Sequence, residues 1–424
     1  MAEAPTWLRE RRSRAVEAAR ELSLPGPKVK GWEFTDLSGL DLSAYEPATA
    51  ADLPDEIAGA LPVPDGAQGL TQVDGSVIAE LGAGLAGLGG NGKPEGPIVV
   101  PLDAAAERYP DLLGSKLGTI VAPEKDPFVT INEAGWSGGA LVYVPAGIRT
   151  ENPISLTAIQ RAGGRSLNWR TLIVLEEGAE AEVWERYLSA DVETDALFNG
   201  VTELIVGPNA NLRYVCGQAL SPASWAFATQ RAEVARDGHL EWVALGFGSA
   251  NGKIRMETKL AGRGAGAKIT GAYIGNGRQH LDYDTTQEHA AEDTTSDLAF
   301  RGVLDDRSTS VWRGMIYVDP GAQRTDAFQD CRNLLLSRKA HADAIPGLEI
   351  KADDVACTHA AAVAQIDPDQ LFYLTSRGLD RETAGELIVG GFLAELVERV
   401  PAGAVADALS GALEQRLGEL LGKS

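Results

Sequence analysis

Cys357 and His359 close a short acidic run, Asp353-Asp354-Val355-Ala356-Cys357-Thr358-His359. Strand side chains alternate faces, so residues two apart project from the same side. A thiol beside an imidazole is half of a metal or redox site. A closed zinc site takes four ligands, and the chain holds no Cys-x-x-Cys and no second tight Cys/His pair to supply the rest. The pair therefore reads either as structural or as a site whose missing ligands come from distant segments or from another chain.

Other residues offer weaker chemistry. In Gly277-Arg278-Gln279-His280-Leu281-Asp282-Tyr283-Asp284-Thr285-Thr286-Gln287-Glu288-His289, the side chains of His280, Asp282 and Asp284 share a strand face, and with His289 they could bind a divalent ion or relay a proton. The competing reading is a row of hydrogen-bonded polar residues. Cys216 in Tyr214-Val215-Cys216, and Cys331 before Leu334-Leu335-Leu336, read as buried structural thiols. Gly82-Ala83-Gly84-Leu85-Ala86-Gly87 spells a dinucleotide fingerprint, but Gly89-Gly90-Asn91-Gly92-Lys93-Pro94 follows it where a helix is required. Gly92-Lys93 lacks the spacing and the Ser/Thr of a P-loop, so ATP hydrolysis by this chain is not expected. No Ser-His-Asp order or nucleophile elbow is visible, and the chain reads as a non-enzyme.

These residues sit in a chain of 424 residues with 44% apolar content, enough for two or three domains. A net charge of -22 and a pI near 4.7 argue against nucleic acid or an anionic membrane as partner, because both demand Lys/Arg patches. Three widely spaced cysteines cannot form a disulfide framework. Met1 to Leu22 has no apolar run with a cleavage site, and Glu10, Glu17 and Glu21 speak against a transit peptide. No apolar run is long enough to span a bilayer. A cytoplasmic location is the expectation.

Three regions position the candidate residues. In the first, residues 1–127, an amphipathic helix carries Leu8, Ala15, Ala19 and Leu22 on one stripe and ends before Pro25-Gly26-Pro27; Pro/Gly-rich loops with short strand and helix candidates follow. In the second, residues 128–366, short Val/Ile/Thr/Tyr-rich runs alternate with turns at Glu177-Gly178, Gly207-Pro208 and Asp237-Gly238, with looser echoes at Gly264, Glu292 and Pro320. A period of about 30 residues with almost no helix signal predicts a parallel β-solenoid, each coil burying its face against its neighbours, with a β-sandwich as the competing fold. In the third, residues 367–424, a short helix runs to Arg377 and stops at Gly378, and Asp380 caps a second helix that Pro401 closes. Ala384, Leu387, Ile388, Gly391, Phe392 and Leu396 form its apolar stripe. Gly385, Gly390 and Gly391 each cost a helix interior roughly 1 kcal/mol against Ala, which predicts a close-packed neighbour such as a partner helix.

Several runs carry a family resemblance: Phe300-Arg301-Gly302-Val303-Leu304-Asp305-Asp306, Gly321-Ala322-Gln323-Arg324-Thr325-Asp326-Ala327, Asn333-Leu334-Leu335-Leu336-Ser337 and Leu348-Glu349-Ile350-Lys351-Ala352-Asp353-Asp354-Val355. The likeness continues through Cys357-Thr358-His359 and Leu371-Phe372-Tyr373-Leu374 to Arg377-Gly378, and reaches back to Gln279-His280-Leu281-Asp282, Trp136-Ser137-Gly138-Gly139, Tyr143-Val144-Pro145 and, faintly, Gly31-Trp32-Glu33-Phe34-Thr35. In these runs the chain resembles the SufB/SufD family of the SUF iron-sulfur assembly system, on its SufD side.

The resemblance implies a mainly β protein, a parallel β-helix core with an N-terminal α/β region and a C-terminal helical domain. It implies a scaffold subunit that pairs with a SufB-type subunit through the end of the β-helix. The C-terminal helices would dock a SufC-type ATPase, with Leu387, Phe392 and Leu396 as contact residues. It implies iron acquisition and a nascent iron-sulfur cluster or iron at the subunit interface, where His359 matches a cluster or iron ligand and Cys357 the cysteine before it; reduced flavin is associated with such complexes. The Gly-Ala that usually follows that histidine is Ala360-Ala361 here. The sister branch, SufB, is usually longer and ends its core in a Glu-His pair where this chain has Cys357-Thr358-His359. A structural homodimer joined at the last coil is the rival outside metal chemistry. A polysaccharide-cleaving solenoid is disfavoured by the absence of an export signal.

Overall fold

A computed structural model describes residues 5–49, 61, 63–81, 94–123 and 126–421. The Gly82–Gly87 fingerprint and Gly92-Lys93 lie outside the described residues.

Two ten-stranded sheets run the length of the molecule, and from Ile154 onward successive strands go alternately to one and then the other. Asn211–Ala219, for example, pairs in parallel with Glu180–Ser189 before it and His239–Gly246 after it, while the intervening Leu197–Val206 and Trp225–Val234 pair in the opposite sheet. The result is a parallel β-solenoid of about 8 turns. The recurring turns become one corner of it. Gly178, Asn209, Asp237, Gly264, Asp293 and Arg324 all adopt positive φ, between 54° and 74°. Each donates its N–H to a carbonyl of the next coil: to Pro208, Arg236, Arg263, Glu292, Gln323 and Asp354 in turn, at 2.6–3.2 Å. Gly, Asn and Asp tolerate the left-handed backbone that this corner needs, and so the period is audible in the sequence. Inside, apolar columns from Val142 and Val183 through Tyr214, Trp242 and Phe300 to Cys331 fill the lumen.

Seven helices flank the solenoid among the described residues: α1 Thr6–Glu21, α2 Leu102–Arg108, α3 Pro110–Lys116, α4 Pro127–Gly135, α5 Pro368–Ser376, α6 Arg381–Val397 and α7 Ala404–Leu420. The segment after residue 127, which the sequence analysis gave to the solenoid, begins with α4, and the first coil strand starts only at Gly138. Asp126 explains the difference: its carboxylate accepts from the N–H groups of Phe128 and Val129, with Pro127 at the first helical position.

The N-terminal helices are clamped to the first sheet by a buried charge network. Arg170, wholly buried, pairs with Glu203 at 2.7 Å and with Glu133 at 3.4 Å, and Arg11 of α1 reaches the same Glu133. Glu203 also accepts from the N–H groups of Gly118, Ile120 and Val121. At the other end, α6 and α7 cover the outer face of the second sheet. Val389, Leu393, Leu396, Val400, Val405, Leu409, Leu413 and Leu417 pack against Trp184, Val215, Val243, Ile274, Ala299 and Val303 in one cluster.

Candidate functional site: the open end of the solenoid

Among the described residues the last strand, Val355–Gln365, pairs only with Thr325–Leu335, and its opposite edge is free. Cys357 and His359 both lie on it and stand in register with Ala327 and Gln329 of the coil below. Ala327 and Gln329 are buried in the lumen, so position 357 and position 359 extend two inner columns to the rim. The thiol is half-buried, packed with Ile316, Val318, Ala327, Leu348 and Val355. Burial, and then the charge of Asp326, push its pKa up. His359 has no coil above it and is exposed. The two soft ligands thus stand next to each other on one uncapped face, one seated in an apolar pocket and one in solvent. Among the described residues no group of three or more His, Cys, Asp or Glu is poised to hold a metal ion.

The competing candidates resolve into structure. Asp282 is buried under the Gly31–Thr35 segment, pairs with Lys253 at 2.7 Å and accepts from Thr35. Trp32 of that segment lies beneath Lys253 and Arg255 and stacks on Phe128 at 5.3 Å. Asp284 is held by Arg313, and His280 Nδ1 meets Thr309 Oγ1 at 2.8 Å. His289 sits in the lumen between the hydroxyls of Thr294 and Ser296, each at 2.8 Å, and burial lowers its pKa to about 4. Each of the four is committed to a different neighbour, so they form no ligand set. Cys216 and Cys331 are buried in the lumen, which pushes both thiols up to about 12. Cys216 accepts from Trp242 Nε1 at 3.3 Å.

Comparison with known proteins decides what this architecture is. Residues 158–392 match the family described as SUF system FeS cluster assembly, SufBD core domain, and residues 88–156 match the SufBD protein N-terminal region. The iron-sulfur cluster assembly protein SufD of Bacillus subtilis is 31% identical over 421 residues, covering 97% of this chain and 94% of that protein. This chain belongs to the SufB/SufD family. Iron-sulfur cluster assembly SufBD family proteins of Staphylococcus saprophyticus and Staphylococcus aureus are 31% and 30% identical over 310 residues, 72% of this chain and 66% of theirs.

For a SufB/SufD protein the C-terminal helices are the second surface of interest, and here the structure corrects the residues chosen from sequence. Leu396 is wholly buried against the solenoid and cannot face a partner. Phe392 is half-buried on the same cluster, with the Arg301 guanidinium 5.8 Å from its ring. Leu387 alone of the three is exposed, at 55%. The buried stripe of α6 is Ala384, Val389, Leu393 and Leu396, because an apolar helix that is hydrophobic on two sides gives no phase from which to tell the inner face. Beyond the local backbone of α6, no described atom lies within 4 Å of a Cβ built at Gly385, Gly390 or Gly391, so the expected close neighbour is not among the described residues. Sequence reasoning passed over Phe372 and Tyr373 of α5, which are 72% and 57% exposed. Their signal was two aromatic residues following the inward Leu371 on a nine-residue helix.

Proposed function

We propose that this SufD homologue is a non-catalytic scaffold subunit of a cytoplasmic SUF complex. A SufB-type subunit covers the open end of the solenoid, and a SufC-type ATPase docks on the exposed side of α5 and α6 around Phe372, Tyr373 and Leu387. Iron and a nascent iron-sulfur cluster are the cargo of the seam. His359 and Cys357 supply an imidazole and a thiolate to that cargo, and the related subunit supplies the remaining ligands, since thiolate and imidazole suit iron in such clusters. A cysteine with a raised pKa gains from this arrangement, because a bound cation favours the thiolate.

The observation that carries the reading is the exposure of His359 beside Cys357 on a rim that no element among the described residues covers. ATP-driven closure of the docked ATPases would open and close the seam, provided they bind the two arrangements with different affinity. The test is co-purification with SufB- and SufC-type partners, followed by anaerobic cluster reconstitution of wild type and His359→Ala read by visible absorbance and bound iron. A several-fold loss of cluster is expected. Equal yields would remove the ligand role, and failure of the partners to co-purify would remove the subunit role.

A further inference from the structure

From Gly31 to Ala48 the chain runs lengthwise over the outer face of the first sheet, across strands far from it in sequence. Glu33 pairs with Arg313 at 3.2 Å, Thr35 donates to Asp282, and Trp32 lies against Lys253 and Arg255. Leu37 and Leu40 pack with Leu197 and Phe227, and Gly39 passes beside Trp225. Glu46 and Pro47 then pair in parallel with Arg165 and Ser166, and Ala48 donates to the Ser166 carbonyl at 2.8 Å. Arg313, Asp282, Lys253, Trp225, Leu197 and Arg165 stand on six successive strands of that sheet. At about 4.8 Å per strand the segment reaches roughly 24 Å along the solenoid.

Its attachment changes character along the way. Trp32, Leu37 and Leu40 are buried with Phe128 and Phe227, a small apolar core of their own. Toward the open end the contacts are directional instead. The side chains of Lys253 and Asp282, each 2% exposed, pair at 2.7 Å, and Asp282 accepts its further bond from Thr35. Arg313 divides its donors between Asp284 and Glu33. Gly31 turns beneath two guanidinium groups at φ 93°, where a Cβ would lie 3.4 Å from Arg313 Nη2 and 3.6 Å from Arg255 Nη2. Directional bonds of this kind fix where along the solenoid the segment sits.

Coils of a solenoid contact only their neighbours, so the terminal coil is the least protected. The second sheet is bound lengthwise by α6 and α7, whose packing runs from Trp184 to Val303 and whose Glu395 reaches Arg301. On the first sheet residues 31–48 occupy the corresponding place. The strand that carries Arg313, Thr309–Val318, is the one on which His341–Ile350 is laid. Its Ile316 and Val318 also pack against Cys357.

We infer that residues 31–48 are a lengthwise tie that holds Thr309–Val318, and through it the rim bearing Cys357 and His359, in register with the body of the solenoid. Trp32, Glu33 and Thr35 are thereby positioning residues for the rim. The tie acts within one chain and needs no partner.

Two buried thiols measure it. Cys216, Ala244, Gly271, Phe300, Cys331 and Ala361 form one column through successive strands of the second sheet, so Cys331 lies one strand below the rim and Cys216 five. Alkylation of the isolated full-length protein by iodoacetamide, mapped by mass spectrometry, compares them in Trp32→Ala, Glu33→Gln and Thr35→Val. Releasing the tie should speed Cys331 about tenfold in Trp32→Ala and about threefold in each polar variant, while Cys216 stays within about twofold of wild type. Hydrogen exchange should show the same gradient. The amides of His341 and Lys351, bonded to Ser308 and Val318, should exchange faster, and that of Ala235, bonded to Val206, should not. The polar variants keep Trp32 and decide the matter even if Trp32→Ala does not fold. Equal acceleration of both thiols would mean a global loss of stability, and no change in the polar variants would make the segment a passive cover; either result overturns the tie.

Discussion

His359 stands in register with Gln329 of the coil beneath it, yet Gln329 is wholly buried and His359 is exposed. Gln329 Nε2 bridges the carbonyls of Gly314 and Gly347 across the lumen, at 3.3 Å each. The same column one step further has no coil above it. Burial in a solenoid is conferred by the next turn, so the final turn presents lumen-facing residues that are complete in geometry and incomplete in environment.

The thiols should differ sharply in reactivity. Cys216 and Cys331 are buried and pushed up to about 12, whereas Cys357 is half-buried at the rim. Alkylation of the native protein at pH 8, mapped by mass spectrometry, should modify Cys357 at least about tenfold faster than the other two. Comparable labelling of all three before denaturation would contradict the lumen assignment.

Two positions of α6 should respond in opposite ways. Leu387→Glu places a charge on an exposed site and should leave the melting temperature nearly unchanged while reducing capture of a SufC-type ATPase; Phe372→Glu on α5 should do the same. Leu396→Glu buries a charge against the solenoid and should cost several kcal/mol, seen as loss of the folded helices by circular dichroism. Unaltered capture by both surface variants would move the docking site elsewhere.

Stability should fall on mild acidification. The His289 pKa is about 4 in the folded protein against 6.5 as its ordinary value, so below pH 6.5 the unfolded chain takes up a proton that the folded one refuses. Its contribution is constant above pH 6.5, declines as pH falls toward 4, and amounts to roughly 3 kcal/mol across that window. Replacing His289 by Gln should flatten this part of the curve in urea titrations between pH 7 and 4.5. A slope that is the same in the variant would assign the effect to other groups.

The N-terminal clamp should be intolerant of half-removal. Arg170→Met leaves Glu203 and Glu133 buried without their shared cation and should destabilise by about 3–5 kcal/mol, measured by chemical denaturation. A change under about 1 kcal/mol would mean that the backbone donors around Glu203 suffice.

Much of this architecture is written locally. The corner at Gly178, Asn209, Asp237, Gly264 and Asp293 needs residues that accept a left-handed backbone, so the coil period shows in the order of residue types. The cap of α6 is equally local: Asp380 accepts from the Thr383 N–H at 2.8 Å. The side-by-side display of Cys357 and His359 follows from strand alternation alone. Tertiary structure decided the rest. Whether Leu387 or Leu396 faces inward depends on which side of an all-round apolar helix meets Val303 and its neighbours. The helix α7 was not assigned from the sequence, and packing of Val405, Leu409, Leu413 and Leu417 seats it on the second sheet. His280, Asp282 and Asp284 had the composition of a metal site, and only tertiary contacts committed them elsewhere: Thr309 on the next coil to His280, Thr35 of the returning N-terminal segment and Lys253 to Asp282, and Arg313 to Asp284. Residue type and spacing set what a side chain can do, because backbone preference and alternation act over a few residues. Which side chains remain unpartnered is set by segments hundreds of positions away, and at His359 by the coil that does not follow it.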